Sequence, residues 1–316
     1  MYAATGDAVV VLGEDGERWT ARATLAGRGA QCLAVTAGGV VFAGTRGHGL
    51  WRSGDGGRTW EDAGLPARHV FSVAVSPVDG TVYAGAEPSA LYAGRDGGES
   101  WEELTALHSV PSAPAWSYPP RPWTSHVRWI APHPADADRL LVGIEAGAVL
   151  LSEDGGRTWG DHRPDADRDP HALAWHPSAP DRAYQAGGGG AAWSHDAGRT
   201  WERVDEGRDR RYAWGLAVDP ADPDRWWVSA APDPFQAHGR GVADARIYRW
   251  EGRWRAVTER LDAFPYALLV AGGALYAGLG DGGLLRSRDG GDAWERVAVD
   301  GERPSRITAL AAPPTS

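Results

Sequence analysis

The chain of 316 residues combines 43 Gly, 22 Pro and 17 Trp with a hydrophobic fraction of 42%. This composition favours many short strands joined by tight turns, with large rings packed between sheets. A net charge of −10 argues against nucleic-acid binding, which needs a basic surface. The single cysteine, Cys32, excludes an internal disulfide and a zinc site built from cysteines.

Targeting and membrane segments are also missing from the sequence pattern. The first residues, MYAATGDAVVVLGEDG, lack the basic start and long apolar run of a signal peptide. No stretch approaches the apolar length of a membrane span. We therefore expect a cytoplasmic protein with no membrane partner and no nucleic-acid partner.

One short segment recurs along the chain with the pattern Ser/Gly-x-Asp-x-Gly-x-Thr/Ser/Ala-Trp. Its copies are SGDGGRTW (53–60), GRDGGESW (94–101), SEDGGRTW (152–159), SHDAGRTW (194–201) and SRDGGDAW (287–294). Two degenerate copies are GEDGERW (13–19) and WEGRW (250–254). Each copy lies between two strand patterns, and two more strand patterns precede it. Four short antiparallel strands per repeat predict one blade of a β-propeller.

The strand patterns recur in a constant order along the chain. The inner patterns are QCLAV (31–35), FSVAV (71–75), RWIAP (128–132), HALAW (171–175), WGLAV (214–218) and YALLV (266–270). The patterns that follow them are VVFAG (40–44), TVYAG (81–85), LLVGI (140–144), RAYQA (182–186), RWWVS (225–229) and ALYAG (274–278). Short β-branched and aromatic runs between Gly, Pro and Asp turns are typical of antiparallel strands.

The tryptophans of the seven copies give the number of blades. They are Trp19, Trp60, Trp101, Trp159, Trp201, Trp254 and Trp294, and most intervals between them are 40 to 42 residues. The 22 residues after Trp294 and the 19 up to Trp19 together supply one more interval of 41. We therefore predict a single all-β domain over residues 1–316, a seven-bladed propeller. Its C-terminal strand, at 306–314, completes the N-terminal blade and closes the ring.

The repeated segments resemble the Asp-box (BNR) repeat of sialidases, sortilin-type receptors, xyloglucanases and photosystem assembly factor propellers. The resemblance implies that each box forms the hairpin between the third and fourth strands of a blade. Its Asp would accept backbone N–H bonds within the turn, and its Trp would pack into the blade. We therefore assign a structural role to the box aspartates, which are Asp55, Asp96, Asp154, Asp196 and Asp289.

The resemblance to sialidases also implies an arginine triad, a Tyr/Glu nucleophile pair and an early Phe/Tyr-Arg-Ile-Pro motif. The first thirty residues contain no such motif, which argues against a sialidase. A xyloglucanase-like hydrolysis would need two carboxylates across a cleft, and Glu87 and Glu145 are the candidates.

Two intervals between the tryptophans are longer than the rest, at 58 and 53 residues. The extra residues lie at 107–126, between blades three and four, and at 231–246, between the second and third strands of blade six. Both connections emerge on the propeller face opposite the boxes, and both are rich in Pro, His and aromatic residues. Loops held by a rigid scaffold often carry function. We therefore expect the functional site on this face.

Alignment of the inner strands collects polar and aromatic residues at the mouth of the central channel on the same face. In each inner strand, the residues three and five positions before a shared Ala or Leu lie on the same side, because side chains alternate between the two faces of a strand. The loops between second and third strands add acidic residues. The predicted ligand-binding residues are Arg128, His171, Trp214, Tyr266, Tyr212, Asp169, Glu87, Glu145 and Arg306.

Three functions remain open for this mouth. The leading one is a pocket for a small polar ligand, with an anionic group at Arg128 and Arg306. The second is a metal-assisted enzyme that holds a divalent cation with His69, His126 and His171. The third is a scaffold for a protein partner, which predicts a flat mouth.

Overall fold

The computed structural model describes residues 1–16 and 18–314, which form seven antiparallel sheets arranged as the blades of a propeller. The strand nearest the axis of each blade contacts the equivalent strand of the next blade all round the ring. These inner strands are β28 (Ala309–Ala311), β4 (Ala30–Val35), β8 (His69–Val75), β12 (Val127–Pro132), β15 (Pro170–Trp175), β19 (Tyr212–Val218) and β23 (Pro265–Ala271). The predicted all-β, seven-bladed fold is confirmed.

The second and third strands of each blade follow outward from the axis. The second strands are β1 (Tyr2–Ala4), β5 (Val41–Thr45), β9 (Val82–Glu87), β13 (Leu140–Ile144), β16 (Ala183–Gly187), β20 (Trp226–Ala231) and β24 (Ala274–Leu279). The third strands are β2 (Val9–Asp15), β6 (Leu50–Ser53), β10 (Ala90–Gly94), β14 (Ala148–Ser152), β17 (Gly190–Ser194), β21 (Arg246–Trp250) and β25 (Leu284–Ser287).

The outermost strands are mostly short. They are β3 (Arg18–Thr24), β7 (Glu61–Asp62), β11 (Glu102–Glu103), β18 (Glu202–Arg203), β22 (Trp254–Ala256) and β26 (Glu295–Arg296). In the described part of blade four, an isolated bridge between Leu151 and Gly160 takes the place of this strand. A further strand, β27 (Val299–Gly301), pairs in parallel with β3 at the outer edge of blade one.

The ring closes within blade one. Residues Tyr2 to Ala4 of β1 pair antiparallel with Ala311 to Ala309 of β28, so strands from both ends of the sequence share one sheet. The strand is shorter than the predicted segment 306–314, and Arg306 lies before it. This pairing supplies the innermost strand of blade one and joins the two ends of the ring by backbone hydrogen bonds.

The Asp boxes form the turns that the sequence pattern predicts. In blade five, Asp196 accepts hydrogen bonds from Ser194 Oγ (2.9 Å), Thr200 N (2.8 Å) and Thr200 Oγ1 (2.7 Å). Gly198 has φ of 77°, a conformation that glycine adopts without strain. The bond from the backbone N–H four residues on recurs at Asp55, Asp96, Asp154 and Asp289.

The core consists of the apolar faces between neighbouring blades. In blades five and six, Tyr184, Trp226, Trp250 and Trp254 pack within one buried cluster. The close approach of blades depends on small residues at selected points. A Cβ on Gly85 of β9 would lie 2.5 Å from Val127 Cγ1 in the next blade. No helix in the described ranges has the length and apolar character of a membrane span.

Three short helical segments interrupt the β structure, and all three lie in the two long insertions. Two 3₁₀ turns, Thr105–Ser109 and Ala113–Ala115, belong to the connection between blades three and four. Helix α1 (Pro234–His238) lies in the insertion of blade six. Asp233 caps α1 by accepting a hydrogen bond from Gln236 N at 2.9 Å, and Pro234 occupies its first turn.

Candidate functional site

A cavity of about 950 Å³ opens at the mouth of the central channel, between the inner strands and the two insertions. Tyr118, Pro119 and Pro120 reach it from the first insertion, and Pro234, Phe235 and His238 from the second. Both insertions therefore lie where the repeat pattern predicted them. The predicted residues that line the cavity are Arg128, Glu145, Asp169, Tyr212, Trp214, Tyr266 and Arg306.

β-Bulges in the inner strands bring several of these side chains to the site. The pairing register shifts across Arg128 in β12, across His171 in β15 and across Tyr266 in β23. A bulge leaves one residue outside the regular pairing. Its side chain therefore does not follow the strict alternation between the two faces of the strand. The strict period of two assumed from the sequence therefore does not hold at the mouth. As a result Arg128 lines the cavity, whereas His126 is buried behind it.

Glu145 lies at the centre of one polar cluster. His126 Nε2 is 2.7 Å from Glu145 Oε2, and Arg128 Nε is 3.3 Å from the same oxygen. Burial opposes ionisation of Glu145. The hydrogen bond from His126 and the charge of Arg128 outweigh that burial and lower its pKa to about 2. Glu145 is therefore an ionised carboxylate at neutral pH.

Glu87 lies behind this cluster and outside the cavity wall. It forms a bidentate ion pair with Arg121 of the first insertion, with distances of 3.1 Å to Nε and 2.5 Å to Nη2. Its Oε2 is also 3.3 Å from His126 Nδ1, so both nitrogens of His126 face carboxylates. Glu87 thus anchors the insertion, and the His126 ring, rather than a cleft, lies between Glu87 and Glu145.

Asp169 and His171 form the second polar cluster. Asp169 Oδ1 accepts a hydrogen bond from Ala146 N at 2.9 Å, and Oδ2 is 3.4 Å from His171 Nε2. The other ring nitrogen, Nδ1, lies 2.7 Å from the carbonyl oxygen of Ala213 in the next blade. Although burial opposes protonation, the charges of Asp169 and Glu145 and these contacts raise the pKa of His171.

A chain of hydrogen bonds links this cluster to the second insertion. Tyr212 OH is 3.4 Å from His171 Nε2 and 2.8 Å from His238 Nε2, and His238 Nδ1 is 3.2 Å from Tyr266 OH. Desolvation among the surrounding rings and the charge of His171 lower the pKa of His238 to about 4. The neutral His238 ring therefore accepts from Tyr212 and holds α1 against the mouth.

Aromatic rings and two arginines form the wall above these clusters. The guanidinium carbon of Arg128 lies 4.6 Å from the ring centre of Trp214, and that of Arg306 lies 5.1 Å from the ring centre of Tyr266. Trp214 and Tyr266 are themselves 6.0 Å apart and nearly perpendicular. The wall thus pairs cationic groups with ring faces.

The three histidines predicted as metal ligands are not brought together. His69 is exposed at the start of β8, and His126 is held between Glu87 and Glu145. Among the described residues, the side chains whose ligand atoms converge within 4.8 Å are Glu145, Asp169 and His171. Only His171 of the predicted metal set belongs to this group, because His69 and His126 stand two positions earlier in the repeat than His171.

Sequence reasoning missed three residues that complete the site. His238 and Tyr118 lie in the insertions, where no repeat gives an alignment, and Arg121 pairs with Glu87 from the same region. One local signal existed for His238. The Asp-Pro pair at 233–234 is typical of a helix start and predicts a helical turn ending near His238.

No protein-family model matches the chain, and no curated protein matches it. Solved structures with the same fold include an ancestral GH74 enzyme, with a TM-score of 0.61 and 18% identity over 90% of this chain. The chain spans 36% of that enzyme's chain. YCF48 bound to D1 peptide gives a TM-score of 0.61 and 18% identity, and the match covers 85% of this chain and 81% of that one.

The WD40 repeats of RRP9 are a third similar structure, with a TM-score of 0.64 and 12% identity. That match covers 98% of this chain and 88% of the RRP9 chain. These neighbours range from an enzyme to peptide-bound and WD40 propellers, at identities that carry the fold alone. The chain is a seven-bladed β-propeller.

Proposed function

We propose that the protein binds a small polar molecule with a negatively charged group in the cavity at the channel mouth. The observation that carries this proposal is a half-open cavity of about 950 Å³, to whose wall both insertions contribute. Cavities of this size accommodate small ligands, which they hold with aromatic walls and a few polar groups.

The charges around the cavity favour a ligand that is polar and anionic at one end. Arg306 makes no ion pair with any described residue, and its guanidinium group is exposed to the cavity. Arg128 is held between Glu145 and Trp214 and offers its remaining N–H donors. The carboxylate of Asp169 lines the same cavity and would accept hydrogen bonds from hydroxyl or amine groups of the ligand.

Thermal-shift measurements with defined anions test this proposal. The probes are inorganic phosphate, acetate, succinate, citrate and glucuronate, each compared with an equal concentration of chloride. We expect at least one probe to raise the melting temperature of the wild type through binding to the native state. Arg306→Ala should weaken that probe's binding at least tenfold, because a charge-assisted hydrogen bond is lost.

Arg288→Ala is the matched control, because Arg288 is an exposed arginine of an Asp box on the opposite face. It should bind the probe like the wild type. Equal binding of every probe to Arg306→Ala, Arg128→Gln and the wild type would contradict the proposed site.

A peptide ligand is the second candidate, because each insertion presents one exposed aromatic side chain. Trp123 is 79% exposed and Phe235 is 85% exposed. Aromatic side chains are enriched at surfaces that bind proteins and peptides. Panning a random peptide library should enrich sequences that bind the double variant Trp123→Ser/Phe235→Ser at least tenfold more weakly. Failure to enrich any sequence would remove this candidate.

A further inference from the structure

We propose that Glu145, Asp169 and His171 form a binding site for one divalent transition-metal cation in the wall of the cavity. Their ligand atoms lie within 4.8 Å of one another. Metal–oxygen and metal–nitrogen bonds of about 2.0 to 2.2 Å require this kind of convergence around a common centre. This inference is independent of the anionic ligand proposed above, because it concerns the protein and the metal alone.

His171 is oriented like a metal-binding histidine. Its Nδ1 lies 2.7 Å from the carbonyl oxygen of Ala213, which fixes that nitrogen as a donor and directs Nε2 towards Asp169. The side chain is 1% exposed, so the backbone contact sets the ring orientation. The hydrogen-bond contact of Nε2 is Tyr212 OH at 3.4 Å, and that hydroxyl has its shorter bond of 2.8 Å to His238.

Asp169 and Glu145 are each held in place through a hydrogen bond to one oxygen of the carboxylate. Asp169 Oδ1 accepts from Ala146 N, which leaves Oδ2 facing His171. Glu145 is 8% exposed, and its Oε2 is held by His126 Nε2. Within the described ranges, its other oxygen, Oε1, has no hydrogen-bond partner. A largely buried side chain that lines the cavity thus offers one carboxylate oxygen to a cation.

Hydrogen bonds from surrounding residues to the ligands are typical of metal sites, where they orient the ligands and tune their basicity. His126 bonds to Glu145 on one side and faces Glu87 at 3.3 Å on the other, giving a carboxylate–histidine–carboxylate arrangement behind the ligand. One imidazole and two carboxylates suit cations such as Zn²⁺, Mn²⁺ and Fe²⁺.

The charge balance is compatible with a divalent cation. Glu145 and Asp169 carry two negative charges towards the centre, and Arg128 lies 3.3 Å from Glu145 Oε2 on one side. A cation would bind His171 Nε2 in place of a proton. The two carboxylates would then neutralise the charge of the cation. Asp169 lines the cavity, so a coordination position remains open to a molecule bound there.

The test uses untagged full-length protein that has been freed of metals by dialysis against a chelator. Isothermal titration with Zn²⁺ should show one saturable site per chain, and Mn²⁺ should show the same site by electron paramagnetic resonance. Asp169→Asn and Glu145→Gln keep the size of each side chain and remove its charge. Each should weaken Zn²⁺ binding at least tenfold, while near-ultraviolet circular dichroism shows an intact fold.

Asp7→Asn is the matched control, because Asp7 lines the same cavity but lies outside the converging group. It should bind Zn²⁺ like the wild type. Absence of saturable binding to the wild type would overturn the proposal, as would equal affinity of the wild type and Asp169→Asn. Metal binding is measured without any anion probe, so its failure is distinct from failure of the proposed function.

Discussion

The two faces of the propeller differ in how their polar side chains are held. On the Asp-box face, Asp196 bonds to Ser194 and Thr200, which are at most four residues away in sequence. On the mouth face, partners lie far apart in sequence. His126 and Glu145 are 19 residues apart, and His171 and Ala213 are 42 apart. The box aspartates are held by local turns, and the side chains at the mouth by contacts between strands and between blades.

This difference explains why the most conspicuous motif of the chain is not the candidate site. Each box aspartate is satisfied by its own turn, which leaves little capacity for a ligand. At the mouth, Glu145 meets His126 and Arg128 from another strand of its own blade, and Asp169 accepts a hydrogen bond from Ala146 of the neighbouring blade. The site lies where the blades differ from one another.

The largest difference in stability is expected between two histidine substitutions, one on each face. His171→Ala should lower the free energy of unfolding by about 3 kcal/mol, because it leaves a cavity where a fully buried ring packed and removes the imidazole partner of Asp169. His195→Ala removes an exposed histidine of an Asp box and should cost less than about 0.5 kcal/mol. Urea unfolding of both variants measures the difference, and equal losses would contradict the contrast.

Removal of the histidine that links α1 to the mouth should have the next largest effect. His238→Phe keeps an aromatic ring but loses the hydrogen bonds to Tyr212 and Tyr266. We expect a loss of about 1.5 kcal/mol and faster cleavage by trypsin after Arg240 in the same insertion. Cleavage after Arg288, on the other face, serves as the control. Unchanged cleavage after Arg240 would show that His238 does not anchor the insertion.

A smaller loss is expected for a box aspartate. Asp196→Ala removes three turn hydrogen bonds at a largely solvated site and should cost about 1 kcal/mol. Because the turn is far from the cavity, binding of any anion probe should keep its affinity. Urea unfolding and thermal-shift titration measure the two quantities. A tenfold loss of probe binding in this variant would assign a functional role to the box face.

The smallest expected effect is the change with pH in the stability that the Asp196 turn contributes. Burial raises the pKa of Asp196 slightly, but hydrogen bonds from Thr200 and Ser194 outweigh it and lower the folded-state pKa below its ordinary value. The turn therefore contributes stability above the unfolded-state pKa of about 4, and this contribution is lost as the pH falls through the folded-state pKa. Wild type and Asp196→Asn should differ less in urea midpoint at pH 3 than at pH 7. A difference that grows on acidification would contradict this sign.

The repeat pattern predicted most of the fold because its determinants are local. Box turns such as that of Asp196, and alternation in strands such as β9, depend on residues a few positions apart. The spacing of the tryptophans then gave the blade count, and β28 pairs with β1 as that count requires. β27, which pairs in parallel with β3, had no repeat counterpart and was not predicted.

The candidate site was predicted in its location and only in part in its contacts. The inner-strand alignment found Arg128, Trp214 and Tyr266 at the mouth, where the structure places them. It grouped three histidines that do not meet, since His126 is held between Glu87 and Glu145, and it placed Glu87 on the rim, where Arg121 instead holds it behind the wall. The insertions have no repeat to align with, so the role of His238 was not foreseen.

The sequence by itself therefore determined the number of blades, their closure and the face on which the insertions lie. These properties follow from spacing and from turns whose hydrogen bonds stay within a few residues. Only the tertiary structure decided which side chains meet. The convergence of Glu145, Asp169 and His171 depends on packing between blades four and five. Contacts of that kind join residues far apart in the chain, and no local pattern encodes them.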